Sequence, residues 1–187
     1  MEDDEGVGIF IEAARRAGAE VAGPLGVSEA VAYIAERAGG SLLLPPFASG
    51  VRLGLAEKLR RAGCAVAEDD LRGAAPGAAA GVTGTNFAIA DTGTLVLEST
   101  AEAIRLATTL PERHFALLDP RKIVPDGLAA VPHLRDMHRN GPRNYLAYIT
   151  GPSRTADIER VLTIGVHGPR ELHILLVEGL SGVFLEM

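Results

Sequence analysis

The chain has 187 residues, of which 47% are hydrophobic and 22% charged, a composition typical of one globular domain rather than a disordered chain. Its formal net charge is -6 and it shows no basic stripe, so nucleic acid is not an expected partner. No window reaches the ~18 apolar residues of a membrane span. The acidic start, MEDDE, lacks the features of a signal peptide, which predicts a cytoplasmic location.

Cysteine usage limits the redox chemistry of the chain. The single cysteine, Cys64, lies in an alternating apolar stretch and is predicted to be a buried core thiol. One cysteine cannot hold an iron–sulfur cluster, which takes about four thiolates or a mixture of His and Cys. The chain also lacks metal-ligand spacings and the P-loop and Rossmann fingerprints, so it is predicted to bind no metal, ATP or NAD.

The first part of the chain alternates helical and strand-like segments. In order, the predicted elements are a helix from Val7 to Ala17 ended by Gly18, a strand from Ala19 to Ala22, a helix capped by Ser28 and running to about Ala38, a strand from Ser41 to Leu44, a helix from Val51 to Ala62, and a strand from Cys64 to Ala67. This rhythm predicts an α/β fold with a mostly parallel sheet flanked by helices.

The second part continues the pattern. It is predicted to contain a helix from Val82 to Ala90, strands from Thr94 to Glu98 and from Phe115 to Asp119, a helix around Gly127 to Met137, a surface loop from His138 to Asn144, a buried parallel strand from Tyr145 to Thr150, and a strand from Leu172 to Val177. No internal repeat is present, so residues 1–187 are expected to form a single domain.

Two polar motifs follow or precede the last strands: YITGPSRTADIE at 148–159 and GVHGPRE at 165–171. In the first, Gly-Pro ends a strand and Arg154, Thr155 and Asp157 open a predicted short helix through Leu162. A helix N-terminus leaves backbone N–H groups unpaired and favours an anion. The alternative is a Gly-Pro turn in which Ser153 or Thr155 caps the helix. If both motifs adjoin strands of one sheet, their loops face one cleft.

Several charged residues are candidates for binding or chemistry in that cleft. Arg105, Arg154 and Arg170 could each grip a carboxylate or phosphate with two parallel hydrogen bonds, or be ordinary surface arginines. His167, between two glycines, could act as acid, base or donor, or be a turn histidine bonded to backbone.

Two carboxylates are also candidates. Asp91-Thr92-Gly93 matches the aspartic-protease triplet, but one copy in an alternating α/β context excludes that class, which leaves a turn or a site role. Glu98 ends an apolar strand, where open α/β sheets gather functional groups; it is either a base or nucleophile or a solvated carboxylate.

These motifs, together with GVTGTNFAIADTGTLVLES at 81–99, resemble the LUD-domain family, and within it the lactate-utilisation protein C group; the resemblance is densest over residues 81–178. It implies a fold like that of ribose-5-phosphate isomerase A, glucosamine-6-phosphate deaminase and CoA transferases (NagB/RpiA/CoA transferase-like). It further implies a cluster-free subunit of a system that oxidises L-lactate to pyruvate, with the iron–sulfur clusters on partner subunits. A stand-alone isomerase-like or CoA-transferase-like enzyme on a small phosphorylated or acyl substrate is the alternative.

The resemblance and the motifs together define a set of candidate site residues. As catalytic residues we expect Glu98, His167 and Asp91. The expected anion-binding residues are Thr83, Gly84, Thr92, Gly93, Arg105, Gly151, Ser153, Arg154, Thr155, Gly168 and Arg170.

Overall fold

The computed structural model describes residues 2–139, 144–155 and 163–187. The strands are β1 (Glu20–Leu25), β2 (Leu42–Leu43), β3 (Val66–Ala67), β4 (Ala80–Gly84), β5 (Phe87–Ile89), β6 (Thr94–Glu98), β7 (Arg113–Leu118), β8 (Ile123–Val124), β9 (Leu146–Ile149), β10 (Arg154–Thr155), β11 (Thr163–Ile164) and β12 (Glu171–Val177). The helices are α1 (Glu2–Arg16), α2 (Val27–Arg37), α3 (Ala48–Arg52), α4 (Leu55–Arg61), α5 (Leu71–Ala74), α6 (Glu102–Thr109) and α7 (Gly127–Arg139).

A six-stranded sheet in the order β1-β12-β7-β4-β2-β3 forms the centre of the molecule, and all of its strand pairs are parallel. The predicted α/β class, with a mostly parallel sheet flanked by helices, is therefore confirmed. Strands β4, β7 and β12 are buried along almost their whole length, as parallel strands covered on both faces are expected to be.

The two faces of the parallel sheet are covered differently. On one face, Phe115 and Leu117 of β7 pack with Leu55 and Leu59 of α4. On the other face, Ala116 and Leu118 pack with residues of a second sheet, whose strand order is β8-β5-β6-β9, and with α1. In that sheet β6 is antiparallel to both β5 and β9.

The predicted helix from Val82 to Ala90 is wrong, because this segment forms β4, a short connection and β5. Every residue from 80 to 90 is buried. A strand buried on both faces carries apolar or small residues at successive positions, so it loses the alternation that distinguishes a strand from a helix.

The strand predicted from Tyr145 to Thr150 exists, but it is neither parallel to its neighbour nor fully buried. Its residues form β9, which pairs antiparallel with β6 in the second sheet, whereas β12, after the second motif, belongs to the parallel sheet. The expectation that both motifs adjoin one sheet is therefore wrong. Strand β9 is half-exposed and lies at the end of its sheet, where an apolar run is not evidence of full burial.

The helix predicted to open at Arg154 and Thr155 is wrong at its start. These two residues form β10, which pairs antiparallel with β11 through Arg154 opposite Ile164 and Thr155 opposite Thr163. The rest of that predicted helix, including Asp157, lies outside the described residues, as do residues 140–143 of the predicted surface loop.

Two helix boundaries differ from the prediction for local reasons. The N-cap of α2 is Gly26 rather than Ser28, and the Gly26 N–H donates to the Glu29 carboxylate at 2.7 Å. The predicted helix from Val51 to Ala62 is two helices, α3 and α4. They are separated at Gly54, which adopts a left-handed conformation with φ of 62° and interrupts the helical path.

Candidate functional site

The two motif loops lie against each other, as predicted. The Ser153 N–H donates to the Pro169 carbonyl, and the Gly165 N–H donates to the Ser153 carbonyl, both at 2.9 Å. The Arg170 N–H donates to the Glu112 carbonyl at 2.8 Å, which places the second loop at the amino ends of β7 and β12. We call residues 151–155 and 163–170 the loop cluster.

The Asp91-Thr-Gly turn lies beside the loop cluster. Thr94 Oγ1 donates to Thr92 Oγ1 and lies 2.8 Å from Thr150 Oγ1, directly before Gly151. Gly93 and Gly151 have φ of +65° and +73°, and each lies against the backbone at the C-terminal end of α1. A side chain at either position would collide with that backbone, so both glycines are needed for the approach. Asp91 itself is exposed.

The three candidate arginines have different environments. Arg154 donates to the Ala17 carbonyl just beyond α1, and Arg105 donates to the Ser99 and Thr100 carbonyls at 2.6 Å each. The Arg170 side chain lies over Gly165 and, among the residues that the structure describes, its guanidinium has no hydrogen-bond or ion-pair partner. Since no helix begins at Thr155, Arg170 is the strongest remaining reason to expect an anion at the loop cluster.

Two cavities flank the loop cluster. One of about 350 Å³ is bordered by His167, Gly168 and Arg170, and by Thr109 and Glu112 opposite them. His167 and Arg170 are both exposed to it. Glu112 and the C-terminal end of α6 bring negative charge to the same space, so an anion bound there would depend on Arg170.

The second cavity, of about 220 Å³, reaches the buried His114. His114 Nε2 lies 2.8 Å from Thr83 Oγ1. Burial, and secondarily the nearby His173, lower the pKa of His114 to about 4, so its ring is neutral near pH 7. The hydroxyl group of the candidate Thr83 therefore pairs with a buried histidine and does not face the loop cluster.

The structure separates three more candidates from the loop cluster. Glu98 lies at the opposite end of β6, where its carboxylate accepts a hydrogen bond from the Thr100 N–H at 3.0 Å. Arg105 binds carbonyls at that same end. Gly84 ends β4 at the carboxyl edge of the parallel sheet. The candidate set is thus divided between separate places in the fold.

Sequence reasoning missed a buried polar group at the carboxyl end of β7. Asp119 is fully buried and accepts two hydrogen bonds from the Arg121 guanidinium, at 2.9 and 2.7 Å. Burial alone would raise the pKa of Asp119, but hydrogen bonds from Arg121 and Ser181 hold it below its usual value. Lys122 is also fully buried; its ammonium donates to the Thr85 and Glu186 carbonyls at 2.7 and 2.8 Å.

A sequence signal for this group was present. Asp-Pro-Arg-Lys, residues 119–122, directly follows the apolar run of β7, and functional groups of open α/β sheets gather at the carboxyl ends of the strands. Within the described ranges, no cluster of three or more His, Cys, Asp or Glu residues is arranged to hold a metal ion. No helix in those ranges has the length and apolar character to cross a bilayer.

Comparison with known proteins places these features in a family. The family model described as the LUD domain matches residues 9–177. The chain is 37% identical over 99 residues to a Bacillus subtilis protein named Lactate utilization protein C, a match that covers 52% of this chain and 41% of the relative. It is 34% identical over 133 residues to the Escherichia coli protein YkgG, covering 67% of this chain and 58% of that protein.

A solved structure shares the fold. The crystal structure of a DUF162 family protein from Deinococcus radiodurans superimposes with a TM-score of 0.66 at 21% identity, and covers 95% of this chain and 99% of that one. At this identity the similarity concerns the fold alone. The chain spans only about half the length of the curated relatives it matches, 41% and 58% for the two given above.

Proposed function

Because the chain belongs to the LUD-domain family, we propose that it takes part in L-lactate utilisation, as a subunit that binds a small carboxylate and carries no redox centre of its own. The name of the Bacillus subtilis relative supports the pathway. The matched region is only part of a longer relative. The substrate of this chain and its assembly with other subunits are therefore proposed, as is its role.

The redox part of the reaction is assigned to other subunits. Oxidation of L-lactate to pyruvate removes two electrons and two protons, and the electrons need an acceptor. With Cys64 as its single cysteine, the chain lacks the thiolates that an iron–sulfur cluster takes. We therefore propose cytoplasmic partner subunits that carry iron–sulfur clusters.

The observation that carries the proposal is the position of Arg170 and His167 beside the 350 Å³ cavity. A guanidinium without another partner can bind a carboxylate through two parallel hydrogen bonds. His167 can accept from or donate to the hydroxyl group of a 2-hydroxy acid. In this proposal the pair selects a small acid that carries a hydroxyl group next to its carboxylate.

Growth on L-lactate tests the role in the cell. Deletion of the gene should abolish growth on L-lactate while growth on pyruvate is retained, and the wild-type gene should restore it. Arg170→Ala should restore growth poorly, because the carboxylate loses its cation. The matched control is Arg135→Ala, since Arg135 is exposed on α7, away from the loop cluster.

Three outcomes would count against the proposal. Normal growth of the deletion strain on L-lactate would remove the pathway assignment. Full rescue by Arg170→Ala would remove the assigned site. Turnover of a phosphorylated or acyl substrate by the purified chain without partners would favour a stand-alone enzyme instead.

A further inference from the structure

A second candidate site lies at the opposite edge of the parallel sheet, between the carboxyl ends of β2 and β4. The chain leaves β2 outward through α3 and α4 to β3, and it leaves β4 in the other direction through β5, β6 and α6 to β7. These two connections cover opposite faces of the sheet. Ligands of open α/β sheets bind in the crevice that such a divergence creates. We call this space the carboxyl-edge crevice.

The crevice is occupied by the chain itself, through residues 182–187, which we call the covering segment. Met187 lies against Gly84 and Phe47, so closely that a Cβ added to Gly84 would come within 2.9 Å of Met187 Cβ. The Ser49 N–H donates to the Met187 carbonyl at 3.1 Å. The segment therefore reaches the start of α3, which follows β2, and the end of β4.

The covering segment presents backbone oxygens to the donors of the crevice. The Lys122 ammonium donates to the Glu186 carbonyl at 2.8 Å, and Asn86 Nδ2 donates to the Phe184 carbonyl at 3.2 Å. The Ser49 N–H, the Lys122 ammonium and the Asn86 amide thus each donate to a different carbonyl of the covering segment. A carboxylate would supply oxygen atoms as well, and it would add a negative charge beside the Lys122 ammonium.

Two further buried hydroxyl groups belong to residues that border the crevice. Ser49 Oγ and Thr85 Oγ1 are fully buried and, among the described residues, make no hydrogen bond. Buried hydroxyl groups are nearly always hydrogen-bonded, so each exception calls for a missing partner. Both belong to residues that already meet the covering segment or Lys122 through their backbone. The crevice thus has more polar capacity than the covering segment uses.

We propose that the carboxyl-edge crevice is a binding site for a small carboxylate and that residues 182–187 are an intramolecular occupant that the ligand displaces. Lys122, the Ser49 N–H and the two free hydroxyl groups bind the carboxylate, and Asn86 is released from the Phe184 carbonyl. The site is separate from the loop cluster, so its failure would leave the proposed function standing.

The covering segment is held in place by separate contacts rather than by pairing with a sheet. It contains neither helix nor strand, and the Val183 and Leu185 side chains are 55% and 50% exposed. It is anchored at its start by the Ser181 N–H, which donates to Asp119 at 3.0 Å, and in its middle by Phe184, which stacks on His133 with ring centroids 3.8 Å apart. Phe184 and Met187 also pack against the hydrophobic core, so weakening one of these contacts lets the segment open more often.

Burial of Lys122 supports a ligand that carries negative charge. Desolvation lowers the pKa of Lys122 to about 8, despite the carboxylates of Asp119 and Glu186 nearby. A carboxylate at the Lys122 ammonium would favour its charged form.

The test uses acetate as the probe and compares variants that loosen the covering segment. Phe184→Ala removes the stacking on His133. The covering segment should then occupy the crevice in a smaller fraction of the molecules. The apparent affinity for acetate rises as that occupancy falls. We therefore expect Phe184→Ala to bind acetate about tenfold more tightly than the wild type in calorimetric titration. Val183→Ala is the matched control, because its side chain is half-exposed in the same segment.

Three further variants keep the test decisive. If Phe184→Ala does not fold, Arg52→Ala replaces it, because Arg52 holds the Glu186 carboxylate at 2.8 Å from a half-exposed position. Adding Ser49→Ala to the loosened chain should lower acetate affinity about tenfold, whereas adding Arg135→Ala, at an exposed position on α7, should not change it. Acetate should also speed amide hydrogen exchange of residues 183–187.

The proposal is overturned if the loosened chain and the wild type bind acetate equally. It is also overturned if the gain survives Ser49→Ala, or if acetate leaves hydrogen exchange of the covering segment unchanged. Loss of the gain in Arg135→Ala would show that the effect is not specific to the crevice, and it would equally contradict the crevice site.

Discussion

The roles of individual side chains here depend on which partner each one reaches. Arg105 and Arg154 were equal to Arg170 as sequence candidates, yet the first two bind backbone carbonyls. The carbonyls that Arg105 binds are local, six and five residues before it, whereas the Ala17 carbonyl that Arg154 binds is 137 residues away. A motif therefore identifies arginines worth testing, and the fold decides which of them can bind a ligand.

Buried His114 makes the stability of the fold depend on pH. Its pKa falls from the ordinary 6.5 to about 4 in the folded chain. Between these pH values the unfolded chain binds a proton that the folded chain does not. The contribution of neutral His114 to the free energy of unfolding is therefore complete above pH 6.5 and is lost as pH falls toward 4. The full effect is on the order of 3 kcal/mol.

Urea unfolding of the wild type and His114→Gln at several pH values measures this effect. The free energy of unfolding of the wild type should fall more steeply between pH 6.5 and 4 than that of the variant. His138→Gln is the control, because it removes an exposed imidazole at the end of α7 and should keep the wild-type slope. Equal slopes for the wild type and His114→Gln would contradict the assignment.

Among the elements, the C-terminal end of α1 organises the loop cluster. Gly93 from the β5–β6 turn and Gly151 after β9 both lie against its last turn or the residue beyond it, and Arg154 binds the Ala17 carbonyl there. Two chain segments that are distant in sequence from α1 thus meet at its end. This contact sets the position of the Gly151–Thr155 loop relative to the parallel sheet.

Gly93→Ala tests the importance of that contact for folding. The new methyl group would be strained at φ of +65° and would collide with the backbone at Ala13 and Ala14, so we expect a loss of at least about 2 kcal/mol of stability. Gly8→Ala is the matched control, because Gly8 is exposed within α1 with no atom in the way. It should stabilise the chain by about 0.5–1 kcal/mol. Thermal or urea unfolding that shows no loss in Gly93→Ala would refute the packing described.

Sequence patterns predicted most elements, and they failed where burial removed the pattern. The helix α7 and the strands β6, β7 and β12 were found because their apolar residues followed one period or one clear run. Strands β4 and β5 were read as a helix because neither face is exposed. Strand β10 was read as a helix start because its pairing with β11 depends on residues farther along the chain.

At the scale of the whole molecule, the α/β rhythm predicted the parallel sheet but not the second sheet or the strand order. Strand order depends on contacts between distant segments, such as β1 beside β12, which no local pattern records. The carboxyl-edge crevice could not be predicted for the same reason. Lys122 is part of it because Thr85 and Glu186, 37 and 64 residues away, supply the carbonyls that it binds.

The two edges of the parallel sheet carry different groups of polar residues. The loop cluster, where the sequence motifs are concentrated, lies at the amino ends of β7 and β12. The buried polar group, with Asp119 and Lys122, lies at the carboxyl ends. The central claim concerns the first of these edges, where Arg170 and His167 are proposed to bind the substrate of lactate utilisation.

Calorimetric titration of L-lactate into the purified chain tests that claim most directly. The account predicts saturable binding to the wild type and to Arg135→Ala. It predicts that Arg170→Ala weakens binding by about 1.5–3 kcal/mol, the scale of a hydrogen bond to a charged group, and leaves the unfolding curve unchanged. No binding of L-lactate to the wild type, or equal binding to the wild type and Arg170→Ala, would contradict it.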